Sequence, residues 1–369
     1  MANSNVARTN NTLGQRLINW GRNLLPGTSH RISRAYPKLT VQNLHRPLQM
    51  SELYRLNDGL ANESSVSSQF FLREGALLRL SADREIVVVG DLHGNANRLD
   101  LILREYGPRL AAGEVTLLFL GDIIHPEESA NMTEMRSSLE TLNTVIRLKN
   151  EFPEQVHVLL GNHDVVDRDN FQMNETKRGV MQSIFFQMHL SEFFGELGYS
   201  SEDVQRMVAG YQSFFDGCPL AATVEGRRGA AYLAHAAVVK GGVTQQQLVN
   251  ARSDEGLMRQ LLRNRYGSDK VISELRLFGR DSSLRKTFSA ADIDATIRGL
   301  GLMASPANTF IICGHTPEKE RGWLYQPVPG KNLHILHSNI PNHFGVVVIK
   351  DGMPGGVPLQ LNEITAAAV

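Results

Sequence analysis

The sequence predicts an α/β fold: a two-sheet β-sandwich with flanking helices. Three observations lead there. Short β-branched and aliphatic runs at 85–89, 115–120 and 156–160 alternate with helical segments. A second set of short strands follows residue 220, after a mostly helical stretch. Gly, Asp, Asn and His cluster directly after the strands, as in Gly90-Asp91-Leu92-His93-Gly94, Gly121-Asp122 and Gly161-Asn162-His163-Asp164.

Taken in order, residues 1–45 are rich in Asn, Ser, Thr and Arg, and residues 1–50 hold seven Lys or Arg with no Asp or Glu. This reads as a basic, flexible arm with one nascent helix around Leu13, Leu17, Ile18, Leu24 and Leu25. The same composition suits an address: a transit peptide, or the export signal of a secreted bacterial effector. Residues 46–84 read as a helical lead-in, over 53–60 and again over 70–80. The main domain is expected over 85–350. Its elements are strand 85–89, helix 97–106, strand 115–120, helix 129–150 and strand 156–160, then helices across 175–215. The aromatic pairs Phe185-Phe186, Phe193-Phe194 and Phe214-Phe215 in that helical stretch read as core. Strands 221–224, 231–233, 309–313, 333–336 and 345–349 follow, with an amphipathic helix over 290–299. Residues 351–369 read as a Gly- and Pro-rich tail that turns small and apolar.

The chain has 369 residues, 42% of them hydrophobic and 21% charged, which allows one large domain with a sizeable core. A net charge of zero gives no argument for nucleic acid. No apolar run is long enough to cross a bilayer, so no integral membrane segment is expected. Cys218 and Cys313 are the only cysteines and do not form a metal-type pair, which fits a reducing compartment. The expected location is the cytoplasm, or a host cell if the chain is an effector. The sequence does not address oligomeric state.

The strand-end residues suit a pair of divalent metal ions. Residues two apart on an extended chain face the same side, so Asp91 and His93 can grip one ion together with Asp122. Asp122 has two carboxylate oxygens and is the natural bridge. The second ion takes Asp122, Asn162, His235 and His315. Two dications carry about +4, and two carboxylates leave an excess that attracts a phosphate dianion and acidifies a bridging water. A neutral Asn162 preserves that excess. His163 is the candidate general acid for the leaving oxygen. Asp164 is expected to orient it or to cap a following helix.

On these motifs the chain resembles the phosphoprotein phosphatases within the calcineurin-like metallophosphoesterases, in a divergent, bacterial form. The resemblance runs from about residue 86 to 349. It includes Cys218-Pro219-Leu220-Ala221-Ala222 with Leu233-Ala234-His235, then Gly314-His315-Thr316-Pro317, and Leu336-His337-Ser338-Asn339 in the place of a family turn. It implies the calcineurin-like fold and two divalent ions, manganese first, with iron and zinc as alternatives. The chain departs from the family motif GDxVDRG, reading Gly121-Asp122-Ile123-Ile124-His125-Pro126-Glu127. His125 stands where the family has an Asp that holds the catalytic histidine, and Pro126 where it has a phosphate-gripping Arg. A second familiar Arg is Leu160 here. Arg276, Arg280 and Arg285 are therefore candidates to bind phosphate, since no neutral residue replaces an Arg fork. His125 is a candidate to pair with His163 or to contact phosphate, and His337 to contact substrate.

The function this implies is hydrolysis of phosphoserine/threonine or phosphotyrosine in a protein or peptide, by in-line attack of a metal-bridging hydroxide. Effector-type phosphatases acting on host proteins are one analogy. The alternatives are a dinucleoside polyphosphate hydrolase and a non-catalytic module that keeps the fold.

Overall fold

A computed structural model of the chain describes residues 48–63, 68–127, 132–170, 173, 177–266, 287–317, 322–339 and 345–355. The basic arm, most of the C-terminal tail, and Arg276, Arg280 and Arg285 lie outside the described residues.

The first helix is α1 (Met50–Glu63), followed by strands β1 (Phe71–Glu74) and β2 (Leu77–Ser81). Then come β3 (Glu85–Val89), α2 (Ala96–Ala111), β4 (Val115–Phe119), α3 (Arg136–Glu151) and β5 (Val156–Val158). Two long helices follow, α4 (Lys177–Glu196) and α5 (Ser201–Gly217). Next are β6 (Ala221–Glu225), β7 (Ala230–Ala234), the short α6 (Gln245–Val249), α7 (Glu255–Arg263), β8 (Arg265–Tyr266) and β9 (Thr287–Phe288). The remainder holds α8 (Ala290–Leu300), β10 (Thr309–Cys313), β11 (Trp323–Tyr325), β12 (Leu333–Leu336), β13 (Val346–Lys350) and β14 (Met353–Gly355).

Two sheets make the sandwich. The larger runs β1-β2-β6-β7-β10-β12-β11, and the smaller β14-β13-β3-β4-β5. Alternate residues of each face the other: Ile86, Val88, Leu118, Val347 and Ile349 meet Leu78, Leu80, Ala222, Val224, Leu233, Ile312 and Leu336 in one buried cluster. Burying each large aliphatic side chain contributes roughly 1.5–3 kcal/mol. Interior strand β4 is buried at every position, as its mainly apolar run requires for a strand covered on both faces. Helices α2 and α3 pack on β4 and β5 respectively. Asn95 starts α2, its side chain accepting from Arg98 N.

Two sequence expectations change. Residues 70–80 form the hairpin β1–β2, not a helix. Its register pairs Glu74 with Leu77, leaving Gly75-Ala76 as the turn. Gly75 has φ +55°, and a Cβ there would overlap the Val249 carbonyl. Such a turn ends a helix and closes a hairpin. The start of the tail also contributes β14, which pairs with β13.

The direction of the strands places the site. Strands β3, β4 and β5 are mutually parallel. So are β7, β10 and β12. Their carboxyl ends meet where Asp91 and His337 form a parallel bridge between the two sheets. Further backbone bonds hold that seam: Ser338 N to Asp91 O (3.0 Å) and Leu160 N to Pro219 O (2.9 Å).

Candidate metal centre

Six loops, one after each of these parallel strands, deliver the chemically active side chains. The structure brings Asp91, His93, Asp122, Asn162, His163, His235 and His315 to one place, and adds His337. The potential ligand atoms of Asp91, His93 and His337 lie within 4.8 Å of one another, and so do those of Asp122, His235 and His315. Every one of these residues is buried except His163, which is half-buried.

The loops are bent to reach this geometry. His93, Asp122 and His315 have φ of 48°, 51° and 61°, a left-handed conformation that costs an L-residue about 1–2 kcal/mol. Strain of this kind gathers at functional sites. Two glycines permit the approach. A Cβ on Gly161 would overlap Asp122 Oδ1, and one on Gly314 would overlap Asp91 Oδ1.

Asp122 faces both groups. Its Oδ2 lies 3.7 Å from His93 Nε2 and 3.3 Å from His235 Nε2, while Oδ1 accepts from His163 N at 2.7 Å. In the second group Asn162 Oδ1 lies 2.9 Å from His235 Nε2 and 2.7 Å from His315 Nδ1. Donor atoms about 3 Å apart match the edges of a coordination shell with metal–ligand lengths of about 2.0–2.2 Å. The histidines are fixed from behind. His93 Nδ1 donates to the His125 carbonyl and His235 Nδ1 to the Leu120 carbonyl, both at 3.0 Å, which frees each Nε2 as a ligand.

The electrostatics describe a pocket in need of cations. Burial pushes the Asp122 carboxyl up, but the rings of His235, His163 and His93 outweigh it and hold it well below the usual carboxylate range. His235 rises to about 9: burial lowers it, and Asp122 and Asp91 more than reverse that. His337 also rises to about 9, with burial opposed by the neighbouring carboxylates of Asp91 and Glu127. Protons held so tightly occupy ground that divalent ions would take. Asp91 Oδ1 and His337 Nδ1 are buried without a hydrogen-bond partner, as ligands of an ion would be. The donor set of carboxylate, amide oxygen and imidazole therefore fits two divalent ions.

Three sequence-predicted roles change. Asp164 neither orients His163 nor caps a helix. Its carboxylate accepts from the backbone of Gly161 and Asp122 (2.9 Å each) and Ile123 (2.7 Å), clamping two of the loops together. His125 neither pairs with His163 nor offers charge to a phosphate. Its Nε2 bonds the Val165 carbonyl at 2.7 Å, and burial drives the ring down to about 3, which keeps it neutral. His337 sits with Asp91 and His93 in a metal-type group rather than at a substrate surface.

Sequence reasoning missed three residues. Gln182, wholly buried on α4, accepts from His163 Nδ1 at 3.0 Å and donates to the Pro126 carbonyl at 3.0 Å. A polar residue on the apolar stripe of a helix was the available signal. Arg178, one turn earlier, donates to the same carbonyl at 3.3 Å, and its charge is felt at His163. Arg265 Nε donates to His315 Nε2 at 3.1 Å. Neither arginine carries a local motif.

Residues 84–327, about two thirds of the chain, match the profile of the calcineurin-like phosphoesterases, and the chain belongs to that family. The family implies divalent metal ions, and the two residue groups are candidate places for them. Among individual relatives, the chain is 32% identical over 111 residues to the serine/threonine-protein phosphatase BSL2 of Arabidopsis thaliana. That match takes in 29% of this chain and 10% of the relative, so the chain spans about a tenth of its length. The structure is similar to a protein serine/threonine phosphatase of Saccharomyces cerevisiae, itself described as similar to human phosphatase PP5. The likeness has a TM-score of 0.52 and 18% identity, and covers 84% of this chain and 83% of that one. It shows the shared fold, a sandwich of two sheets with flanking helices.

Proposed function

We propose that this chain is a dinuclear-metal protein phosphatase that hydrolyses phosphoserine/threonine or phosphotyrosine. One observation carries the reading: a single carboxylate oxygen, Asp122 Oδ2, faces a histidine of each metal-type group. Asp91, His93 and Asp122 would hold one ion, and Asp122, Asn162, His235 and His315 the other. Manganese suits these mixed oxygen and nitrogen donors, as do iron and zinc. Such ions would supply Lewis-acid charge for the phosphoryl oxygens and a nucleophile at neutral pH.

The chain's own residues do the rest. His163 donates a proton to the leaving oxygen, and Gln182 fixes its ring through Nδ1. Burial lowers His163 to about 4, with Asp122 raising and His93 lowering it further, so the ring by itself is neutral at pH 7. A phosphate dianion arriving beside it is the charge that raises it again. Arg178 takes over from the arginine that Pro126 lacks, since its guanidinium already reaches the Pro126 carbonyl. Arg265 approaches the phosphate from the His315 side. The complete, buried donor set speaks against a non-catalytic module.

The test is phosphate release by purified full-length protein, with and without Mn2+, from phosphoserine, phosphothreonine and phosphotyrosine peptides and from a dinucleoside polyphosphate. Metal-dependent release from a peptide, reduced about a hundredfold or more in Asp122→Asn, is expected. No metal-dependent turnover of any peptide overturns the reading.

A further inference from the structure

We propose that His337 is an additional ligand of the ion held by Asp91 and His93, with Glu127 as the carboxylate that aims its ring. The inference deepens the dinuclear reading above and rests on it.

The geometry assigns each nitrogen a task. His337 Nε2 lies 3.1 Å from Glu127 Oε2 and donates its proton there. That leaves Nδ1 as the nitrogen at which a cation would take the place of a proton. Nδ1 is buried without a hydrogen-bond partner, and so is Asp91 Oδ1. Nδ1 stands 3.7 Å from Asp91 Oδ2, too long for a hydrogen bond and suited to two ligands that share one cation. The His337 and His93 rings face the same space, 5.9 Å apart between centroids. His337 is 1% exposed, so an unpaired nitrogen there is costly without an ion.

The backbone fixes the ring's position. His337 N donates to Gly322 O at 2.8 Å, and Ser338 N to Asp91 O at 3.0 Å. The ligand therefore stands at the end of β12, registered directly against Asp91 at the end of β3. A carboxylate behind a ligating histidine sets its tautomer and strengthens it as a base.

The same contact accounts for part of the altered loop after β4. Where the related phosphatases have Asp-Arg-Gly, this chain has His125-Pro126-Glu127. Glu127 in the glycine's place reaches His337. The His125 carbonyl fixes His93, another member of the same group. The departures around Pro126 thus converge on one ion.

The test is titration of the metal-free, full-length protein with Co2+ against a competing chelator, with the visible absorption of bound cobalt as a second readout. Wild-type protein takes up two ions. His337→Asn is expected to keep one at wild-type affinity and to bind the other at least tenfold more weakly, with a changed cobalt spectrum. Glu127→Gln weakens the same ion by about 10- to 100-fold. Because the Glu127 side chain is partly exposed, that variant decides the matter if His337→Asn does not fold. Two ions bound by either folded variant with unchanged affinities and spectrum overturn the role of His337. Fewer than two ions in wild-type protein overturn the dinuclear reading as well, so the two failures are distinguishable.

Discussion

Gln182 lies on the buried stripe of α4 with Phe186, Leu190 and Phe194. An amide in that position is costly unless both its ends are bonded. Here the NH2 end is used by the Pro126 carbonyl, so the oxygen must face His163. Gln182→Met should lower kcat about 10- to 100-fold, with bound metal unchanged, and should do so more for a phosphoserine peptide than for an aryl phosphate. With His163 as the proposed general acid, the difference would arise because an alkoxide needs its proton more than a phenoxide does. Steady-state kinetics on both substrates check it, and equal losses would mean that Gln182 only supports packing. The sequence made the candidate ligands legible because each lies just past the end of a strand, all but His235 within a few residues of a glycine. Gln182, Arg265 and the Glu127–His337 pair were not legible in this way. Glu127 and His337 are 210 residues apart, and only folding the two sheets together makes them neighbours.

At the level of elements, the strands that deliver ligands are the ones that the sequence marked best. Their runs are mainly apolar because both faces are covered, and residues 85–89, 231–233 and 309–313 fall within observed strands. The hairpin β1–β2 was harder to read. Phe71, Leu72, Leu77, Leu78 and Leu80 satisfy either a helical or an alternating pattern, and the decisive residue is Gly75 in the middle. Its positive φ and its contact with the Val249 carbonyl leave no room for a side chain. Gly75→Ala should destabilise the protein by about 1–3 kcal/mol, measured by urea unfolding. The loss would fall on the edge of the larger sheet that β1 and β2 form. The metal-type groups stand at the far strands, so metal uptake should be retained.

The molecule as a whole carries buried neutral histidines away from the centre. His334 on β12 accepts from Trp323 Nε1 at 3.1 Å and lies against the Trp323 ring, 5.7 Å between centroids. Burial lowers it to about 4. Its ordinary value is near 6.5, so the unfolded chain takes up a proton there before the folded one does. Stability is therefore full above pH 6.5 and is lost as pH falls toward 4. Between pH 7 and 5 this residue accounts for roughly 2 kcal/mol. In metal-free protein, His334→Gln should remove that part of the acid dependence while keeping an acceptor for the indole, as read by urea unfolding at the two pH values. A slope unchanged by the substitution would show that other groups set it. The bridge between Asp91 and His337 has a further effect at this scale. One residue belongs to each sheet, so a cation gripped by both would act as a rivet through the two halves of the sandwich. Chemistry and architecture would then share a single fastening, and withholding the metal would also slacken the frame.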